Sequence, residues 1–204
     1  MIRSRTEKFI TTLHEALLFL KEFWRSPSSI GAIAPSSRKL AREIVSQASF
    51  TRDAVVMEFG PGTGIFTEEI LRNLGTNGRF IAVERNPKLA SILQQRFPDA
   101  FIYEDSVENA CNILEQHKIP EVDAIVCGLP WAAFDEKTQD EFLHTIRIIL
   151  KDGGVFVTFA YLQGVLLPAG QRFNKKIRAS FSQLRTSRVV WWNLPPAFVY
   201  RCVK

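Results

Sequence analysis

The chain carries Glu58-Phe59-Gly60-Pro61-Gly62-Thr63-Gly64, and a second acid, Glu84, stands twenty positions after Gly64. Glycine has no side chain to obstruct a ligand. A G-x-G-x-G turn between a strand and a helix therefore lets backbone N–H groups and the helix N-terminus approach one closely. An acid ending the following strand suits the hydroxyls of a ribose. Asp105-Ser106, ending a third strand, is a polar pair where an adenine amine would lie. Candidate ligand-binding residues are therefore Glu58, Gly60, Pro61, Gly62, Thr63, Gly64, Glu84 with Arg85 beside it, Asp105 and Ser106. The spacing differs from the G-x-G-x-x-G of dinucleotide-binding domains. A packed turn with its acids in solvent is the competing reading.

The elements that must position these residues follow from hydrophobic periodicity. Strands are predicted over Ala54–Phe59, Arg79–Glu84, Ala100–Glu104, Val122–Cys127 and Val155–Ala160, the last entered through an Asp152-Gly153-Gly154 turn. Helices are predicted over Ser36–Ala48, Phe66–Leu74, Pro87–Phe97, Val107–His117 and Glu136–Leu150. Strands alternating with helices of this length imply a parallel sheet covered on both faces. The last fifty residues read as a basic helix over Gln171–Phe181 and two strands, Ser187–Trp192 and Ala197–Val203. An Asn193-Leu194-Pro195-Pro196 hairpin turn joins those strands.

At 204 residues, 46% hydrophobic and 23% charged, the chain is one generous globular domain, which excludes a disordered or collagen-like chain. Its net charge of +5 conceals a strong division. Residues 1–50 carry eight Lys/Arg against four Asp/Glu, residues 51–152 ten against seventeen, and residues 153–204 eight against none. Basic ends of this kind meet phosphate, in nucleic acid or in lipid headgroups. Cys111, Cys127 and Cys202 are odd in number and scattered, which argues against disulfides and zinc and for a reducing compartment. No apolar run is long enough to span a bilayer. Phe9, Ile10, Leu13, Leu17, Leu20 and Trp24 mark an amphipathic helix over residues 6–25, ended by Ser26-Pro27. Such a helix either packs on the domain or lies in a membrane interface with Phe23 and Trp24 as anchors.

The glycine loop with Glu58, Glu84 and Asp105 resembles the class I S-adenosylmethionine-dependent methyltransferases, and the resemblance covers residues 53–160. It implies a Rossmann-like α/β fold. The expected sheet has seven mostly parallel strands, with an antiparallel C-terminal strand, and the amphipathic helix precedes it. It also implies S-adenosylmethionine as cofactor, without a metal. Glu58 and Gly60 to Gly64 would flank its methionine moiety, Glu84 would hold the ribose, and Asp105 would accept from the adenine amine. Enzymes of the class that methylate amines of nucleic acid carry Asn or Asp before the proline of the fourth-strand loop. Here that loop reads Cys127-Gly128-Leu129-Pro130-Trp131, so a flat base has no designated clamp. Asn193-Leu194-Pro195-Pro196 imitates the missing letters but lies far down the chain.

Gly31-Ala32-Ile33-Ala34-Pro35-Ser36-Ser37-Arg38, the Gly-Leu-Pro loop and Asn193 to Ala197 together resemble the bacterial soluble-type phospholipid N-methyltransferases. That resemblance implies stepwise methylation of phosphatidylethanolamine toward phosphatidylcholine by an enzyme of residues 28–204, docked through an N-terminal helix of residues 1–27. An adenine N-methyltransferase of ribosomal RNA, or a methyltransferase of another amine lipid such as an ornithine lipid, is the alternative. A primary amine must be neutral to attack a methyl group, and an alkylammonium has a pKa of roughly 10. Tyr161 and the backbone carbonyls of Gly128 and Leu129 are the expected contacts for that amine. Arg38, Arg172, Lys175, Lys176, Arg185 and Arg188 are the cations available to a lipid phosphate and an anionic membrane surface. The expected location is cytoplasmic, peripheral on the inner face of the cell membrane, without nucleic acid as partner.

Overall fold

The computed structural model describes residues 36–204. The helix expected over residues 6–25, with Phe23 and Trp24, and the Gly31–Pro35 segment lie outside the described residues. Helix α1 (Arg38–Ala48) opens on Ser37, whose hydroxyl accepts the Leu40 N–H at 3.1 Å. Satisfying one orphan amide of the first turn in this way fixes where the helix starts. Leu40, Ala41, Ile44, Val45 and Ala48 form its buried stripe.

The strands are β1 (Val55–Phe59), β2 (Arg79–Glu84), β3 (Phe101–Glu104), β4 (Val122–Cys127), β5 (Leu150–Tyr161), β6 (Gln183–Thr186) and β7 (Ala197–Val203). Helices α2 (Ile65–Asn73), α3 (Pro87–Arg96), α4 (Ala110–Gln116), α5 (Glu136–Ile149) and α6 (Pro168–Ser180) complete the described chain. The strands form one sheet in the order β3-β2-β1-β4-β5-β7-β6. β1 to β5 are parallel, and β7 runs antiparallel to both β5 and β6. The expected fold class is therefore the one observed. Strand order reverses between β1 and β4, and in an open α/β sheet that switch point is where ligands bind.

Successive strand residues point to opposite faces, so β1 divides its chemistry. Met57 and Phe59 join the core containing Ile113, Phe142, Ile146 and Phe173 from α4, α5 and α6. Val56 faces the other core, with Leu40, Ile44, Phe66 and Ile70 of α1 and α2. Glu58 shares that second face and is wholly buried there.

Three expectations need correction. The turn expected at Asp152-Gly153-Gly154 is part of the twelve-residue β5, as an irregularity between its pairings at Leu150 and Val155. Val107–His117 divides into a short 3-10 turn, Val107–Asn109, and α4. The strand expected at Ser187–Trp192 lies earlier, at Gln183–Thr186. Beyond Thr186 the Ser187 hydroxyl, not a backbone carbonyl, accepts the Val199 N–H at 3.0 Å. A side chain that replaces the carbonyl in this way ends the ladder. Val190 keeps only an isolated bridge to Ala197.

Candidate active site

β1 delivers the chain into the glycine loop at the switch point. Gly60, Gly62 and Gly64 all have positive φ. At Gly60 a Cβ would lie 2.6 Å from Leu129 Cδ2, and at Gly64 it would lie 2.6 Å from Leu93 Cδ2. The leucine side chains could turn aside, so it is the left-handed backbone, with φ of 67° and 75°, that demands glycine at these two positions. Glu84, at the end of β2, pins the loop from the side, accepting the Gly62 N–H at 3.0 Å and the Asn86 N–H at 2.9 Å. From α3, Arg96 donates to the Thr63 carbonyl at 2.8 Å and to Glu68 at 2.7 Å. No sequence pattern marks Arg96, because its partners lie 28 and 33 residues away.

Glu58 accepts the Thr67 hydroxyl at 2.7 Å through Oε2, while Oε1 is buried without a hydrogen-bond partner among the described residues. Burial in that apolar setting pushes its pKa up to about 8, which the bond from Thr67 only partly offsets. Glu84 is also raised by burial. An unpartnered buried carboxylate oxygen beside a glycine cradle fits a ligand bearing a cationic group. The two carboxylates would ionise more readily with such a ligand bound.

The raised pKa of Glu58 has a consequence for stability. The folded chain retains a proton that the unfolded chain releases above the ordinary glutamate range. The contribution of Glu58 to the stability of the ligand-free protein should therefore fall as pH rises from about 4.5 toward 8, then level off. Glu58→Gln keeps an acceptor for Thr67 and removes the titration. We expect its melting temperature to fall less between pH 5 and 8 than that of the wild type, by roughly 3 °C or more. Parallel melting curves for the two proteins at pH 5, 6.5 and 8 would show that Glu58 does not titrate in this range.

Asp105 lies at the end of β3. Its Oδ1 accepts from the Ser106 N–H and from Asn109 Nδ2, each at 2.7 Å. Ser106 donates its hydroxyl to Glu108 at 2.8 Å, so Ser106 stiffens the turn. Arg85 is exposed.

Opposite the glycine loop, the Gly128 N–H donates to the Phe59 carbonyl at 2.7 Å. A Cβ on Gly128 would lie 2.5 Å from the Gly60 carbonyl oxygen, so the two loops touch backbone to backbone. The Leu129 carbonyl already accepts the Trp131 N–H at 3.1 Å. Trp131 stacks on Phe173 with ring centroids 4.3 Å apart, and its indole N–H reaches Thr158 at 3.0 Å. Gln139 of α5 is fully buried and donates to the carbonyls of Trp131 and Ala169. On sequence it reads as an ordinary helix surface residue, and its clamping of these two segments is visible only in three dimensions.

These residues frame a cavity of about 280 Å³ lined by Gly128 to Ala132, Phe159 to Tyr161, Gly164, Leu167, Phe173 and Tyr200. Among the described residues that line it, Trp131, Tyr161, Gln163 and Tyr200 are the ones with polar side-chain atoms, and the rest are apolar or glycine. Burial pushes the Tyr161 pKa up to about 12, so its phenol stays protonated at neutral pH. Asn193, buried at 1% exposure, accepts the Ser37 N–H at 2.8 Å and donates to the Pro195 carbonyl at 2.7 Å. It holds a connection together and does not serve as a clamp for a base.

The expected cations are dispersed. Lys176 is paired with Asp140 and lies 3.5 Å from Glu136 on α5, so a lipid phosphate would compete with these carboxylates for it. Arg185 lies on edge strand β6 opposite Arg201, which is level with Val157 in mid-sheet, away from the cavity. Arg38, Lys175 and Arg188 are exposed, and Arg172 is half-buried with Nε lacking a partner among the described residues.

This strand order, with a glycine loop pinned by an acid at the switch point and a second loop seated against it, defines a class I methyltransferase domain. A family model described as a methyltransferase domain matches residues 56–154. The chain is 30% identical to an ornithine lipid N-methyltransferase of Singulisphaera acidiphila over 93% of its own length and 96% of that protein. It is 32% identical to ribosomal RNA small subunit methyltransferase A of Thermotoga maritima, over 72% of this chain and 55% of that one. Among solved structures, an O-methyltransferase of Bacillus cereus superposes with a TM-score of 0.65 at 16% identity, covering 95% of this chain and 91% of that one. The chain belongs to the S-adenosylmethionine-dependent methyltransferase family.

Proposed function

We propose that the chain methylates the primary amine of a membrane lipid headgroup, with ornithine lipid the first substrate to test and phosphatidylethanolamine the second. The apolar cavity at the ends of β4 and β5 carries this reading. Among the described residues no charged side chain lines it, and the Gly128-Leu129 pair before Pro130 offers neither Asn nor Asp to clamp a planar base. The Singulisphaera relative supports an amine lipid, and its name moves ornithine lipid ahead of the phosphatidylethanolamine suggested by the sequence alone. The ornithine headgroup offers a carboxylate where the phospholipid has a phosphate, and an arginine binds either with paired hydrogen bonds.

Under this reading Glu58 and Gly60 to Gly64 flank the methionine moiety of S-adenosylmethionine, Glu84 takes the ribose hydroxyls, and Asp105 accepts from the adenine amine. The cofactor supplies a methyl group on a sulfonium. Transfer of that methyl group to the amine would leave the carbon–sulfur electron pair on sulfur, so no protein nucleophile would be needed. The chain contributes alignment, because the backbone contact between the two loops fixes the acceptor cavity against the cofactor site. It also contributes desolvation, since an apolar wall favours the neutral, nucleophilic amine over the ammonium. The Gly128 carbonyl and the Tyr161 hydroxyl can each accept a hydrogen bond from that amine. With its pKa about 12, Tyr161 orients the amine and does not act as a base near neutral pH.

Tyr161→Phe should therefore lower kcat only about 3- to 10-fold, the worth of one hydrogen bond, and leave the shape of the pH–rate profile unchanged. Loss of the alkaline limb in the variant would instead make Tyr161 the proton acceptor. The function itself is tested with methyl-labelled S-adenosylmethionine offered to vesicles of ornithine lipid, to vesicles of phosphatidylethanolamine and to ribosomal RNA. We expect label in the chloroform phase. Label on RNA, or on none of the three, would overturn the lipid reading.

A further inference from the structure

Seven large apolar side chains are exposed among the described residues, and five of them lie on two short segments. Leu166 and Leu167, 76% and 41% exposed, follow β5 in a 3-10 turn. Trp191, Trp192 and Leu194, 69%, 78% and 77% exposed, precede β7. Both segments leave the sheet at the same place. Tyr161 pairs with Ala197, and the Leu162 N–H donates to the Pro196 carbonyl at 3.0 Å. That place is the carboxyl end of β5, where Tyr161, Gly164 and Leu167 line the acceptor cavity.

The exposure is built in. The Asn193 side chain is locked between Ser37 and Pro195, so the chain turns its one polar residue inward and its two indoles and leucine outward. A soluble surface gains nothing from that arrangement, whereas indoles among cations suit the boundary between headgroups and acyl chains. Lys39 places its ammonium 4.3 Å from the Trp192 ring centroid, and Arg38, Arg42 and Arg188 are exposed on the adjoining segments. No acid occurs in residues 153–204.

We propose that the Trp191–Leu194 connection, with Leu166 and Leu167 beside it, is the face through which the enzyme seats on an anionic bilayer. Seated there, the cavity opens at headgroup level and the amine enters it while the acyl chains stay in the membrane. This rests on the amine-lipid reading, and the experiment separates the two. Binding of the full chain to vesicles of phosphatidylglycerol and phosphatidylcholine is measured by flotation, without cofactor or methyl transfer. The double variant Trp191→Ala/Trp192→Ala should bind at least about tenfold more weakly, with an unchanged melting temperature because both side chains are exposed. Brominated acyl chains should quench wild-type tryptophan emission more than that of the variant. On a short-chain amine lipid dispersed as monomers, the two should turn over equally, where that lipid is a substrate at all.

Equal vesicle binding and equal quenching would overturn the proposal. So would a change in sedimentation showing that the indoles join two copies of the chain. Indoles already shielded from acrylamide in the absence of vesicles would show that another part of the chain covers them, and would overturn it as well. If no lipid is ever methylated while the binding difference holds, the function fails and the docking face stands.

Discussion

Glu84→Ala is expected to weaken S-adenosylmethionine binding by about 10²- to 10³-fold. Charge-assisted hydrogen bonds contribute roughly 1.5–3 kcal/mol each, and a ribose offers the carboxylate two hydroxyls. The same side chain holds the Gly62 and Asn86 N–H groups at 3.0 and 2.9 Å, so its removal also releases the glycine loop that the ligand must meet. An ionised carboxylate has about four lone-pair sites, so these two bonds leave acceptor capacity for the ribose. Glu84→Gln should fall between the two proteins, because the amide accepts at one end only and turns a donor toward an N–H at the other. Calorimetric titration with S-adenosylhomocysteine provides the measurement. An unchanged dissociation constant in the alanine variant would remove Glu84 from the ribose site.

The second large effect is expected at Gly128. An added Cβ would come within 2.5 Å of the Gly60 carbonyl oxygen and 3.5 Å of its carbon. The obstacle is backbone, which cannot rotate aside as a side chain would. One of the loops must therefore retreat, with loss of the 2.7 Å bond from the Gly128 N–H to Phe59. Overpacking of this kind costs about 1–3 kcal/mol, which for a domain of this size lowers the melting temperature by roughly 3–10 °C. Catalysis should suffer more than stability. A displacement of about 1 Å between reacting groups can cost 10²-fold in rate, and Gly128→Ala moves the acceptor loop against the cofactor loop. We expect a folded protein that binds S-adenosylhomocysteine within about fivefold of wild type, with kcat reduced about 100-fold. Unimpaired turnover would mean that the contact between the loops does not set the geometry of transfer.

These two residues differ in how far the sequence exposes them. Glu84 is legible because an acid ending a strand after a glycine loop is a local pattern. Gly128 stands out only for the letters around it and for its carbonyl. Its contact with Gly60 cannot be read from spacing, because β1 and β4 become neighbours only when the sheet reverses its order. The surroundings of Lys176 and Arg185 are illegible along the chain for a related reason. A basic residue looks available until the fold sets Asp140 beside it or carries it to a far edge. Ser187–Trp192 has the β-branched and aromatic composition of a strand, yet the Ser187 hydroxyl takes the place of a strand carbonyl.

The alternation of strands and helices, the fold class, the glycine loop and the acids at the strand ends are all legible along the chain. All of these depend on periodicity and on groups close along the chain. Three features come from the folded arrangement alone: Glu58 keeps an oxygen without a partner among the described residues, Gln139 clamps Trp131 to Ala169, and Trp191 and Trp192 face outward beside the acceptor cavity. Burial and hydrogen bonding across long sequence separations depend on which surfaces pack together, and spacing along the chain does not encode that.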